Sequence, residues 1–219
     1  MGAALMVHPV VQGEFLARIA SKYGFTDPMV IWNRPENKVL RDSGRTPTTL
    51  APGDKLFVPE LTVRELSKGT ETRHRLVVKQ STHRLRVALQ RFGARPAAGM
   101  SCTVRLGGET KTVKTDGEGK LEVDLPSGAE LGELEIDAPD TDFDRLKIPI
   151  RVGHLDPIVE ISGQEARLNN LGYRAGTAGD RNAPAFRSAV EEFQCDEKLP
   201  VDGVCGVRTQ AKLKQVHGC

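Results

Sequence analysis

The spacing of apolar residues changes twice along this chain, and that limits its fold more than any other feature. Near the start, Phe15, Leu16, Ile19, Ala20 and Tyr23 recur at spacings of one, three and four, the stripe of an amphipathic helix. From Arg73 to Val152 the period falls to two. Leu76 and Val78, then Leu85, Val87 and Leu89, then Leu121, Val123 and Leu125, then Leu146, Ile148 and Ile150 alternate with polar or charged neighbours. After Asp156-Pro157 the helical spacing returns. One core cannot serve all three patterns, so the 219 residues divide into several small domains.

In the first segment, Val10 and Val11 end a short β-like run, and Gly24 is placed to stop the helix that follows. Thr26 or Asp27 is expected to cap a second helix with Pro28 in its first turn, and Pro35 to end it. Leu50 to Asp54 reads as a turn and Lys55 to Val58 as a strand closed by Pro59, giving the order strand, helix, helix, strand. The middle segment has turn signals at Gly107-Gly108, Thr115 to Gly119 and Pro126-Ser127-Gly128, which predicts an antiparallel sandwich of about seven strands. Its charge is uneven, basic from Arg73 to Arg105 and acidic from Glu130 to Asp144, a solvated face or a docking face. The last segment predicts three helices. The first starts with a capping-box-like Ser162-Gly163-Gln164-Glu165 and runs to Gly172. The second spans Pro184 to Cys195 with Phe186, Ala189, Val190 and Phe193 inward. The third spans Thr209 to Val216 with Leu213 and Val216 inward.

The residues Val10-Val11-Gln12-Gly13-Glu14-Phe15-Leu16-Ala17-Arg18-Ile19-Ala20, then Ile31-Trp32-Asn33, then Leu50-Ala51-Pro52-Gly53-Asp54-Lys55-Leu56-Phe57-Val58-Pro59 resemble the LysM family. That resemblance implies a βααβ module binding N-acetylglucosamine-containing glycans in a shallow groove between two loops. Mapped onto this chain, the loops are Gln12, Gly13, Glu14 and Phe15, up to Leu16, and Leu50, Ala51, Pro52 and Gly53. Backbone groups in exposed Gly and Pro turns suit the acetamide and hydroxyl groups of a sugar. The family's usual Gly-Asp-Thr-Leu reads Gly13-Glu14-Phe15-Leu16 here, and an insertion from Arg34 to Thr49 precedes the second loop.

In the last segment, Leu168, Leu171-Gly172-Tyr173, Ala189-Val190, Phe193-Gln194, Leu199, Val201-Asp202-Gly203, Gly206, Thr209 and Leu213 resemble the three-helix peptidoglycan-binding domain often appended to cell-wall hydrolases. The glycines set a tight turn, and Thr209 or a neighbour is expected to cap the next helix. Leu171, Phe193 and Leu213 read as core, with Tyr173, Gln194 and Asp202 as the candidate ligand contacts. The family's usual loop before its second helix is replaced by Gly176 to Asn182. In the middle segment, the turn Thr115-Asp116-Gly117-Glu118-Gly119 resembles that of immunoglobulin-like and carboxypeptidase-regulatory-like sandwiches, a structural signal only.

The fold class expected is therefore multidomain α+β: a LysM module over 1–60, a linker over 61–72, an Ig-like β-sandwich over 73–152 and a three-helix peptidoglycan-binding domain over 153–219. His8, His74, His83, His154 and His217 are scattered without metal-ligand spacing, and Cys102 lies in an alternating strand. No catalytic residues, metal or cofactor are expected, and no stretch nears the roughly 18 apolar residues of a membrane span. A net charge of +2 is too balanced to argue for nucleic acid. Peptidoglycan is the expected partner.

Met1 to Val11 carries no signal-peptide pattern, which predicts a cytoplasmic start. The whole arrangement, with the Trp32-Asn33-Arg34-Pro35-Glu36-Asn37 stretch, resembles small proteins associated with contractile injection machines such as type VI secretion. It implies export by the machine, or assembly into its spike, and action at the cell wall or periplasm. The alternative is a structural adaptor gripping a spike or toxin protein, its glycan affinity lost. Cys195, Cys205 and Cys219 are disulfide candidates after delivery to an oxidising space. Cys195–Cys219 is the favoured pair, though sequence does not fix connectivity.

Overall fold

The computed structural model describes residues 5–61, 70, 73, 83–91, 95–126, 128–137 and 145–218. Most of the expected linker, the Leu76–Val78 alternation, Ser127, much of the acidic run near Asp144, and Cys219 lie outside them. Residues 1–23, 28–61 and 154–219 form one compact unit, and 24–27 with 62–153 form a second. The two end modules thus belong to one unit, although the β-rich segment separates them in sequence.

In the N-terminal module, β1 (Leu5–Pro9) pairs antiparallel with β2 (Lys55–Pro59). Between them, α1 (Leu16–Lys22) buries Leu16, Ile19 and Ala20 completely, as its stripe predicts, and ends before Gly24 at φ +80°. The next helix, α2 (Met29–Trp32), is capped by Pro28 rather than by Thr26 or Asp27. The strand-helix-helix-strand expectation omitted further helical structure. Pro35–Asn37 forms a 3-10 turn leading into α3 (Lys38–Asp42), both within the stretch read as an insertion. Asn37 explains why this stretch folds. Fully buried, its amide donates to the carbonyls of Ile31 at 2.8 Å and Phe57 at 2.9 Å, while its Oδ1 accepts from Phe57 N–H at 2.8 Å. It satisfies backbone groups of β2 as a neighbouring strand would.

The second unit carries eight strands among the described residues: β3 (His83–Ala88), β4 (Gln90–Arg91), β5 (Arg95–Pro96), β6 (Ser101–Leu106), β7 (Glu109–Lys114), β8 (Lys120–Leu125), β9 (Leu131–Asp137) and β10 (Arg145–Arg151). One sheet runs β10-β9-β6-β7, while β3 pairs β8 and β4 pairs β5, all antiparallel. Cys102, Val104 and Leu106 from β6, Leu134 and Ile136 from β9, and Leu121 and Val123 from β8 share one core, with Leu85 and Val87 of β3 packed against it. The alternation misleads at β10. Leu146 and Ile148 face the same side as their partners Ile136 and Leu134, yet remain 50% and 36% exposed. Among the described strands, β10 lies at the edge of this sheet. Arg105 pairs with Glu133 and Glu135, and Arg84 and Arg86 pair with Glu122 and Asp124 across β3–β8.

The C-terminal module consists of α4 (Ile161–Asn170), α5 (Pro184–Asp196) and α6 (Val207–His217) around Leu168, Phe186, Ala189, Val190, Phe193 and Leu213. Val216, expected inward, is 39% exposed. Glu160, not Ser162, caps α4. Ser162 sits inside the helix and donates to Asp156 Oδ2 at 2.6 Å. At its other end Gly172 adopts φ +96°, Tyr173 N–H bonds Leu168 O at 2.9 Å and Gly172 N–H bonds Asn169 O at 3.0 Å, a Schellman stop.

Candidate peptidoglycan-binding surfaces

On the C-terminal module, α5 carries Gln194 into the interior, 1% exposed. Its amide nitrogen donates to Asp202 Oδ1 at 2.8 Å, Thr209 Oγ1 at 3.0 Å and Val204 O at 3.1 Å. Its oxygen accepts from the N–H groups of Asp202 and Gly203, both at 3.0 Å. Those five bonds leave it nothing to offer a ligand. Gln194 is therefore the clamp of the Asp202–Gly206 turn, a correction to its reading as a contact. Thr209 is likewise not a cap. Gly206 is the N-cap of α6, and Thr209 lies buried in its first turn.

Asp202 stays exposed at that turn. The Gln194 amide first, then Val204 N–H, hold its carboxyl below the usual value. Tyr173 packs its ring edge-on against Phe193, 5.6 Å between centroids, and donates its hydroxyl to Asp196 at 2.9 Å. Burial, then Asp196, push its phenol upward. The turn also displays Val201, Val204 and Val207, 57%, 53% and 84% exposed. These valines flank Asp202, and an unperiodic apolar run around Asp-Gly was the signal for them.

Two buried charges escaped the sequence reading. Arg167, 1% exposed, donates to the carbonyls of Asp156 at 2.8 Å and Gly163 at 2.7 Å. Glu165, 3% exposed, accepts Gly179 N–H with both oxygens at 3.0 Å, tying down the loop from Gly176 to Asn182. Charged residues on a helix read by default as solvent-facing, so only the neighbouring glycine-rich loop hinted at this.

On the N-terminal module, the two loops singled out by sequence lie side by side. Val10 N–H donates to Asp54 O at 2.9 Å, and Gly53 N–H returns the bond to Val10 O at 2.8 Å. Asp54 closes its own loop by accepting Ala51 N–H at 2.8 Å. Gln12, Pro52 and Gly53 are exposed, and Ala51 is half-buried. Leu50, 4% exposed, belongs to the core and not to a ligand surface. Glu14 is occupied internally. Its Oε2 accepts from His8 Nε2 at 2.8 Å and Val11 N–H at 3.1 Å, with Lys22 3.6 Å from Oε1. Tyr23 OH lies 3.1 Å from the other ring nitrogen of His8. Half-buried Phe15 lies under the Arg18 guanidinium, 5.5 Å from ring centroid, and Arg18 also donates to Gly13 O at 3.0 Å. Gly13 itself is buried beneath His154.

Cys195 is exposed and Cys205 buried, both as free thiols rather than a bridge, and Cys219 lies outside the described residues. Among the described residues no three His, Cys, Asp or Glu side chains converge as a metal site, and no helix is long and apolar enough to cross a membrane.

Residues 164–213 match the family model of the Putative peptidoglycan binding domain. No curated protein and no solved structure matches the chain. The match runs from Gln164 within α4 to Leu213 within α6, and it supports a peptidoglycan-binding module at this end of the chain, with peptidoglycan as its partner.

Proposed function

We propose that this protein is a non-catalytic peptidoglycan binder that contacts the wall through both end modules. The observation that carries the reading is the family match over residues 164–213, on a three-helix module with a satisfied interior. The N-terminal part of the proposal rests on the LysM-like sequence and on the lacing of its two loops through Val10, Gly53 and Asp54. Exposed Gln12, Pro52 and Gly53 give that side a polar, shallow surface suited to acetamide and hydroxyl groups of N-acetylglucosamine. Two weak sites in one chain bind a polymer more tightly than either alone. The Ig-like reading of the middle unit, and delivery by or assembly into a contractile machine of the type VI kind, complete the proposal and rest on the sequence architecture.

The test is co-sedimentation of the intact protein with purified sacculi at low salt. Retention in the pellet, weakened by substitutions in either end module, is the expected result; a protein left wholly in the supernatant defeats it. A second reading, an adaptor that grips a spike or toxin and has lost glycan affinity, is favoured by the burial of Gly13.

A further inference from the structure

The glycan groove proposed above has two lips, the Gln12–Phe15 loop and the Leu50–Gly53 loop. A third segment, residues 154–160 between β10 and α4, lies against the first lip. The imidazole of His154 occupies the space a side chain at position 13 would need. A Cβ on Gly13 would meet its Nε2 at 3.2 Å, Cδ2 at 3.7 Å and Cε1 at 3.8 Å. Nearby, a Cβ on Gly44 would meet Val159 Cγ1 at 3.3 Å. Arg45 ties the segment to the other lip, bonding Asp54 at 3.1 Å and Glu160 at 3.1 Å. The outcome is asymmetric. Gly13 is buried although its loop neighbours Val11 and Gln12 are exposed, whereas a Cβ on Gly53 would have nothing within 4 Å.

We infer that residues 154–160 close the Gly13 lip in the free protein, so that a chain of N-acetylglucosamine must displace His154 to occupy the whole groove. This autoinhibitory contact rests on the LysM reading of the N-terminal module. The closure is built to reopen. Glu160 is 47% exposed in its ion pair with Arg45, and Val159 is 43% exposed against Gly44, so solvent already reaches the seam. Glu160 is half in solvent while Arg45 is mostly buried, so this pair is only partly screened. The segment does not peel away by itself, because Pro157 and Ile158 are buried and Ile158 belongs to the C-terminal core. Opening therefore separates the N-terminal module from the C-terminal one. A groove that is open for only a fraction of the time binds sugar more weakly by that fraction.

The test uses the intact protein and its His154→Ala and Glu160→Gln variants. Each is titrated calorimetrically with the N-acetylglucosamine hexamer, and amide exchange over residues 13–16 is followed without sugar. Closure predicts affinity at least about threefold higher in both variants, as expected when the competent fraction rises, together with faster exchange at 13–16. Equal affinity in all three forms, their melting curves showing them folded, overturns the closure and leaves the glycan reading standing. Weaker binding by His154→Ala alone makes the imidazole a sugar contact and also overturns it. If none of the three folded forms binds the hexamer, the glycan reading itself falls and the closure falls with it.

Discussion

Gln194 on α5 and Thr209 on α6 are joined by a buried hydrogen bond of 3.0 Å, and the same amide holds Asp202 and Gly203 of the turn between them. One side chain thus fixes where two helices and the module's Asp-Gly turn meet. Replacing it by Ala strands the N–H groups of Asp202 and Gly203 and opens a cavity. Gln194→Ala is expected to lose about 2–4 kcal/mol, from unsatisfied polar groups and lost packing together. Gln194→Glu retains the acceptor but sets a second carboxylate against Asp202, so its destabilisation should grow as pH rises through the carboxylate range. Urea unfolding at pH 4 and pH 7 checks both; an unchanged midpoint for Gln194→Ala would show that the clamp contributes nothing.

Glu14 gives the N-terminal module a pH dependence. Burial pushes its carboxyl upward, but Val11 N–H, His8 and Lys22 together outweigh that and leave it below its ordinary value of 4.5. A carboxylate lowered on folding stabilises fully above its unfolded value, and that contribution is lost as pH falls through the folded value. The wild type should therefore lose stability below about pH 4.5 more steeply than Glu14→Gln. Melting temperatures of both proteins from pH 7 to pH 3 decide it. Parallel curves would leave Glu14 without this role.

His217 acts over a higher window. Burial first, then Arg167, push its imidazole from 6.5 down to about 4, and Asn170 lies 3.0 Å from Nε2. The unfolded chain takes up a proton near 6.5 and the folded one does not until about 4. Stability attributable to the neutral ring is present above 6.5 and declines as pH falls across that interval. His217→Gln should flatten the wild-type decline between these values, which scanning calorimetry at closely spaced pH would detect. A wild-type curve that is already flat there would refute it.

These groups divide according to how far their partners lie along the chain. The stripe of α1, the stop at Gly172 and the Pro184 start of α5 were legible because each depends on residues within a turn or two. The helix α3 was not, because its anchor Asn37 acts on Phe57, which pattern reading cannot pair with it. Arg167 and Glu165 looked solvated until the carbonyls and loop they satisfy were in place. Among the candidate ligands, Gln12, Pro52 and Gly53 are open as the loop reading implies, but Gly13, Leu50 and Gln194 are not. Small, apolar and amide residues fit a sugar site and a protein interior equally well, and only tertiary neighbours distinguish the two.

The cysteines should differ sharply in reactivity. Cys195 is exposed at the end of α5, whereas Cys102 is buried in the β-rich core and Cys205 is buried beside α6. Burial pushes the Cys205 thiol up to about 11 and also raises Cys102, so neither has appreciable thiolate near pH 8. Iodoacetamide on the folded protein is expected to label Cys195 well before Cys102 or Cys205, with all three labelled in denaturant. Peptide mass spectrometry reads the order. Equal early labelling of Cys205 would mean that its loop opens readily.

Lys198 is the one described non-glycine residue with positive φ, at 56°. It ends α5, where Lys198 N–H bonds Cys195 O at 3.1 Å and Leu199 N–H bonds Gln194 O at 2.8 Å, the Schellman pattern that usually carries glycine. A left-handed conformation crowds a Cβ against the following carbonyl and costs roughly 1–2 kcal/mol, which glycine avoids while losing more chain entropy on folding. Lys198 is exposed. Lys198→Gly is therefore expected to stabilise the protein by about 0.5–1 kcal/mol, the net of those two effects, while Lys198→Val should destabilise it because a β-branched side chain is crowded further. Equilibrium unfolding of the two variants against the wild type tests the sign. A Lys198→Gly protein less stable than wild type would show that the lysine side chain contributes more at this helix end than its backbone strain costs.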